Sequence, residues 1–119
     1  PKFEQFEDEA SAVSVDAHEC GHSTGHEDRL DRKFSKRFGN EAYAFEELIA
    51  ELTAAFLCAD FGISQPEEPR ADHASYLASW LKVLKGDKRA IINAATQAEK
   101  AAKLILDNAE TAGMAQAAK

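Results

Sequence analysis

Apolar residues recur in this chain at three-to-four spacing through long alanine-rich stretches, and no segment alternates β-branched or aromatic residues strictly with polar ones. That pattern predicts a mainly helical protein. A first helix is expected from about Glu7 or Asp8 to Ser23, with acids in its opening turn and Gly25 as its stop. After a connection from Glu27 to Gly39, Asn40 caps a strongly apolar second helix from about Glu41 to Asp60 that ends at Gly62. On that helix Leu48, Ile49, Leu52, Phe56 and Ala59 fall within roughly 60° of the Phe45 direction and form its core stripe. The opposite side carries Tyr43, Glu47, Ala50, Glu51, Ala54 and Cys58, where the alanines allow another helix to close in around two carboxylates. Pro66 and Pro69 make a loop of Ile63 to Arg70, and Asp72 caps a third helix ending near Lys85. Gly86-Asp87 is a corner. Asp87 then caps a long helix whose stripe, Ile91, Ala95, Ala98, Ala102 and Ile105, fades near Gly113 into an alanine-rich stretch. The expectation is about four helices forming one domain over residues 1–112, followed by a flexible tail over residues 113–119.

Composition agrees with one core: 119 residues, 45% hydrophobic and 29% charged, is the balance of a globular domain rather than of a disordered chain. A net charge of −7 repels a phosphate backbone, which excludes nucleic acid as a partner of this segment by itself. Arg29, Arg32, Lys33, Lys36 and Arg37, with Phe34 and Phe38 between them, are a local exception and read as a solvated connection. Cys20 and Cys58 make no disulfide framework and are expected as reduced thiols of a cytoplasmic protein. No apolar run approaches the ~20 residues that span a bilayer, and the N-terminal residues lack an apolar signal core, so no membrane partner is expected. The start at Pro1 rather than methionine fits a processed protein or the C-terminal part of a longer one.

The chemistry is concentrated in His18-Glu19-Cys20-Gly21-His22. Residues four apart on a helix lie about 40° apart, so His18 and His22 aim two imidazoles at one point, the bite that Zn2+ needs. Glu19 is turned roughly 100° from His18, too far to be a ligand but within reach of a water on the metal, which makes it the expected general base for hydrolysis of a peptide bond. Glu47, on the alanine-lined side of the second helix, is the expected third ligand, because a shielded carboxylate needs a cation or another partner. Glu51, one turn on, is the expected acceptor for the far nitrogen of a ligand histidine. Two rivals stay open. Glu46 points about 100° away from Glu47, towards the flank of the core stripe. Asp28 continues His18, His22 and Gly25 in the spacing of metzincins, where a third histidine is usual. His26 reads as a loop residue, Tyr43 as a candidate oxyanion donor one turn before Glu47, His73 and Tyr76 as weaker ones, and Trp80 as a core anchor.

The segments His18-Glu19-Cys20-Gly21-His22-Ser23-Thr24-Gly25-His26, Arg29-Leu30, Phe38-Gly39-Asn40-Glu41-Ala42-Tyr43, Glu46-Glu47-Leu48, Ala50-Glu51-Leu52 and Ser79-Trp80-Leu81-Lys82 together span most of the chain. They resemble the C-terminal zincin-like metallopeptidase domain of ArdC-type antirestriction proteins, which are found on plasmids and phages. The resemblance implies a metal held by His18, His22 and a glutamate of Glu46-Glu47-Leu48. It also implies a single-stranded-DNA-binding domain outside this chain, and a part in protecting incoming DNA from restriction. The chain departs from the family at Ser23, where a tryptophan commonly follows the second histidine, and at Ala12-Val13, where tyrosines often precede the motif. The small sheet that normally precedes the zincin helix is largely missing. Two functions follow as expectations: a zinc peptidase acting on a protein or peptide, and a non-catalytic module in which zinc clamps two helices while a DNA-binding domain does the work.

Overall fold

The computed structural model of the protein describes residues 9–32, 41–63, 80–82 and 84–117. Three helices organise them: α1 (Glu9–Ser23), α2 (Glu41–Asp60) and α3 (Ala90–Ala117), with residues 80–82 and 84–86 also helical. There is no strand among the described residues, so the core they form is helical, as the hydrophobic pattern predicts. The expected start of α1 at Glu7 or Asp8, the Asn40 cap, the Pro66 and Pro69 loop, the Asp72 cap, His73 and Tyr76 all lie outside the described residues.

The central element is α2, which packs on α1 with one side and on α3 with the other. Leu48 and Ile49, flanked by Phe45, Leu52 and Phe56, meet Ala94 and Ala98 of α3 together with Trp80 and Leu84. Only Ala59 of the expected stripe is exposed, one residue from the helix end. The helix stops where Gly62 adopts φ 68°. There Ile63 N–H donates to Cys58 C=O (2.8 Å) and Gly62 N–H to Ala59 C=O (3.2 Å), a pair of bonds that satisfies carbonyls left over by the last turn.

The buried face of α1 is made of small residues, Ala12, Ser14, Ala17 and Gly21, with His18 among them. At Gly21 the two helices touch so closely that a Cβ would stand 3.2 Å from both Ala50 Cα and Thr53 Cβ. This contact carries the histidines of α1 onto the acids of α2.

Asp87 caps α3, its Oδ1 accepting from Arg89 N–H at 2.9 Å. The seam of α3 keeps Ala98 and Ala102 of the expected stripe, with Ile105 packed at its edge, but departs from it in the first turns. Ala90, Ala94, Ala98, Ala101 and Ala102 are buried, whereas Ile91 and Ile92 are 42% and 65% exposed. Alanines let α2 and α3 approach closely, and a seam centred on Ile91 would hold them apart. The helix also runs through Gly113 to Ala117, past the point where the stripe was expected to fade.

Candidate metal centre

One turn of α1 and two turns of α2 supply the polar cluster. His18 and His22 project from α1 and Glu46, Glu47 and Glu51 from α2, and most of these side chains are buried although each is charged or polar. His18 Nε2 and His22 Nε2 lie 3.0 Å apart. Glu47 faces both, with Oε1 2.8 Å from His22 Nε2 and Oε2 3.3 Å from His18 Nε2. Bonds of about 2.0–2.2 Å to one cation at tetrahedral or octahedral angles require ligand atoms about 3.0–3.6 Å apart. The spacing of these three residues is close to that requirement, and the donor set, two imidazoles and one carboxylate, suits a divalent metal.

The outward nitrogens of both rings are also held. His18 Nδ1 pairs with Glu51 Oε1, and His22 Nδ1 faces Glu46 Oε1 at 3.4 Å. Orienting carboxylates of this kind fix the tautomer and turn Nε2 towards the metal position. Burial by itself disfavours a charged ring, but Glu47 and Glu51 outweigh it at His18, and Glu46 and Glu47 at His22, so both histidines are pushed up to about 9. Burial likewise opposes ionisation of Glu47, and hydrogen bonds from His18 and His22 overcome it, holding the carboxyl down to about 2. Glu46 is lowered against its burial by His22 and Arg32.

Glu46 and Arg32 depart most from the sequence reading. Glu46 is not turned to the flank of the core stripe; it is 2% exposed and lies against the outer nitrogen of His22. Arg32 is not part of a solvated connection. Its side chain is 7% exposed and forks onto Glu46, Nε to Oε2 at 3.0 Å and Nη2 to Oε1 at 2.7 Å. Its remaining donors reach Thr24 Oγ1 (2.8 Å) and Gly21 C=O (2.9 Å). Of the other cations of that run, Arg29 is exposed and donates to Ser23 C=O, and Lys33, Lys36 and Arg37 lie outside the described residues. A composition argument could not find Arg32, because its partner is fourteen residues away on the next helix.

The loop after α1 excludes Asp28 from the cluster. Its side chain is 85% exposed and lies beside His26, itself 54% exposed. Glu19 follows His18 on the solvent side of α1, and Tyr43 is half-buried on α2 one turn before Glu47.

This pair of histidines and a downstream glutamate on two packed helices is what a zincin-like site needs, and the profile of the zincin-like metallopeptidase family (MPTase-PolyVal) matches residues 1–97. The chain belongs to this family. The zincin-like domain is 49% identical over 102 residues to the uncharacterized protein y4eC of Sinorhizobium fredii, covering 86% of this chain and 33% of that protein. It is 41% identical over 106 residues to the DNA primase TraC of Escherichia coli, covering 89% of this chain and 10% of TraC. Two crystal structures of the antirestriction protein ArdC from the R388 plasmid are similar to it. The Mn(II)-bound one matches with TM-score 0.70 and 48% identity over 83% of this chain and 37% of ArdC. The metal-free one matches with TM-score 0.77 and 45% identity over 93% of this chain and 39% of ArdC. The zincin-like domain thus spans well under half of each relative. No described helix is long and apolar enough to cross a membrane.

Proposed function

We propose that this zincin-like domain is a peptidase centre of an ArdC-like antirestriction protein, in which His18, His22 and Glu47 hold a divalent metal, with Zn2+ the expected ion. The observation that carries the reading is the convergence of His18 Nε2, His22 Nε2 and the Glu47 carboxylate at 2.8–3.3 Å within a histidine pair that brackets Glu19. When bound, such a metal supplies Lewis acidity, polarising a peptide carbonyl and lowering the pKa of water. Glu19, exposed on α1 next to His18, would accept the proton of the attacking water on its carboxylate and return it to the leaving amine nitrogen. Tyr43 is the candidate to donate to the carbonyl oxygen as it gains charge. Glu51 and Glu46 keep the rings in register from behind.

The substrate in this reading is a protein or peptide. Contact with single-stranded DNA is assigned to sequence outside this chain, because a net charge of −7 offers little to a phosphate backbone. The competing reading, a non-catalytic clamp, draws support from the way the same cluster ties α1 to α2. Glu19→Gln separates the two. On the peptidase reading it retains stoichiometric metal and folded structure while hydrolysis of a protein substrate falls by at least about a hundredfold. Unchanged turnover, or antirestriction that persists undiminished in Glu19→Gln, would leave only the clamp.

A further inference from the structure

Behind the three residues assigned to the metal, the two orienting carboxylates are held differently. Glu51 reaches His18 Nδ1 from a position 18% exposed, where water can share its charge. Glu46 is 3% exposed at the side chain, next to Glu47 in sequence, and its charge has no comparable access to water. A buried carboxylate beside a second one is costly unless a cation is built in with it. Arg32 is that cation, and its planar fork meets both oxygens of Glu46 at once.

We propose that Arg32 is a positioning residue of the metal centre: by forking onto Glu46 it holds that carboxylate against His22 Nδ1, and so sets the imidazole that faces the metal. This rests on the metal assignment of His18, His22 and Glu47 made above. Three features of the structure carry it. First, the guanidinium is anchored on every side, to Glu46 by two nitrogens, to Thr24 Oγ1 and to Gly21 C=O, so its place is fixed relative to the very turn of α1 that bears His22. Second, room is made for it. A Cβ on Gly25 would stand 3.0 Å from Arg32 Nη2 and 3.2 Å from Cζ, and the chain returns to Arg32 through Asp31 at φ 48°, a conformation that non-glycine residues rarely adopt. Third, the charges balance. The carboxylates of Glu46, Glu47 and Glu51 with one guanidinium leave two negative charges among two neutral imidazoles, which is what a divalent cation neutralises.

If Arg32 only stapled the loop to α2, its loss would lower the melting temperature of the metal-free protein and leave metal affinity alone. The test measures Mn2+ affinity from the electron paramagnetic resonance of the free ion, with the metal-free melting temperature taken in parallel on the whole chain. Arg32→Met is expected to weaken Mn2+ by about 10–100-fold, the range for outer partners of metal ligands. Arg29→Met removes a cation from the same loop without touching the cluster and is expected to stay within about twofold of wild type. Because Arg32 acts through Glu46, the Arg32→Met, Glu46→Gln double variant should be no weaker than the worse single variant, whereas Arg32→Met and Glu51→Gln, on different histidines, should multiply. Mn2+ affinity within about twofold of wild type in Arg32→Met, beside a lowered metal-free melting temperature, overturns the proposal. Should Arg32→Met fail to fold, Arg32→Lys decides: it keeps the cation but not the fork, and wild-type affinity in it would equally overturn the proposal. A wild-type chain that binds no Mn2+ would instead remove the metal assignment itself.

Discussion

Of the three carboxylates that the sequence offers as third ligand, Glu46 is taken up by Arg32 and the outer nitrogen of His22, and the surroundings of the other two, Glu47 and Asp28, make opposite demands. Glu47 is 5% exposed between two imidazoles, so Glu47→Ala leaves a buried pair of histidines without its shared acceptor and is expected to remove stoichiometric metal and loosen α1 from α2. Asp28, at 85% exposure, should be replaceable by alanine with metal content unchanged. Metal analysis of the two purified variants checks this, and metal loss in Asp28→Ala with retention in Glu47→Ala would reverse the assignment. The pH dependence follows from the same residues. His18 and His22 are raised from 6.5 to about 9, so in metal-free protein their pairing contributes stability that is complete below about 6.5 and is lost as the pH rises through about 9. Glu47, lowered from 4.5 to about 2, contributes in the opposite sense, fully above about 4.5 and progressively less as the pH falls towards 2. At 3.0 Å the two Nε2 atoms share a hydrogen bond only if one of them accepts, so the pair titrates as a unit. Calorimetry should therefore show the metal-free melting temperature falling between about pH 7 and 10, while apparent metal affinity rises over the same interval because a cation must displace those protons. A metal-free melting temperature that stays level across that interval would contradict the charge assignment.

Among the elements, the contact of α1 with α2 is the one on which the cluster depends, and Gly21 is its closest point. Alanine is the better helix former by about 1 kcal/mol, so propensity alone favours Gly21→Ala. The added Cβ, however, meets Ala50 Cα at 3.2 Å, and Ala50 is fully buried backbone that can yield only if the helices part. Overpacking of that kind costs about 1–3 kcal/mol, which outweighs the propensity gain. Gly21→Ala should lower the denaturation midpoint and Gly21→Val should lower it further; a stabilised Gly21→Ala would mean that the helices can separate without loss. The bounds of α2 were legible because its signals are local: a dense apolar period ending in Gly62, whose positive φ the helix end uses. The pair His18 and His22 and the face carrying Glu47 and Glu51 were legible for the same reason, since helical geometry alone brings such residues to one side. The N-terminal part of the α3 seam was not. Periodicity found Ala98, Ala102 and Ile105 but gives a direction for Ile91 without saying that the partner helix needs an alanine there, and in the first turns the buried row falls on Ala90 and Ala94 instead. Glu46 was misjudged because its angle on the helix points away from Glu47, and the reason for burying it, Arg32, arrives from a loop.

At the scale of the whole molecule, every described residue of the cluster lies between His18 and Glu51, and α3 contributes none. Its described members come from α1, residues 24–32 and α2, a hairpin of two helices whose contacts are short in sequence. Such contacts form early, because little loop entropy is lost in closing them. A cation present while the chain is still unfolded would be captured by that hairpin before α3 docks on Leu48 and Ile49. Binding made in the transition state shortens the climb from the unfolded side and leaves the descent from the native side unaltered. Refolding with metal in large excess over its Kd should accordingly be faster by at least about tenfold, with the unfolding limb of the chevron nearly unmoved. Slower unfolding with unchanged refolding would place metal capture after the rate-limiting step. On this view the ion is a template as well as a cofactor: a cell short of the metal would assemble the domain more slowly, and the chain would spend longer with its alanine-rich faces exposed.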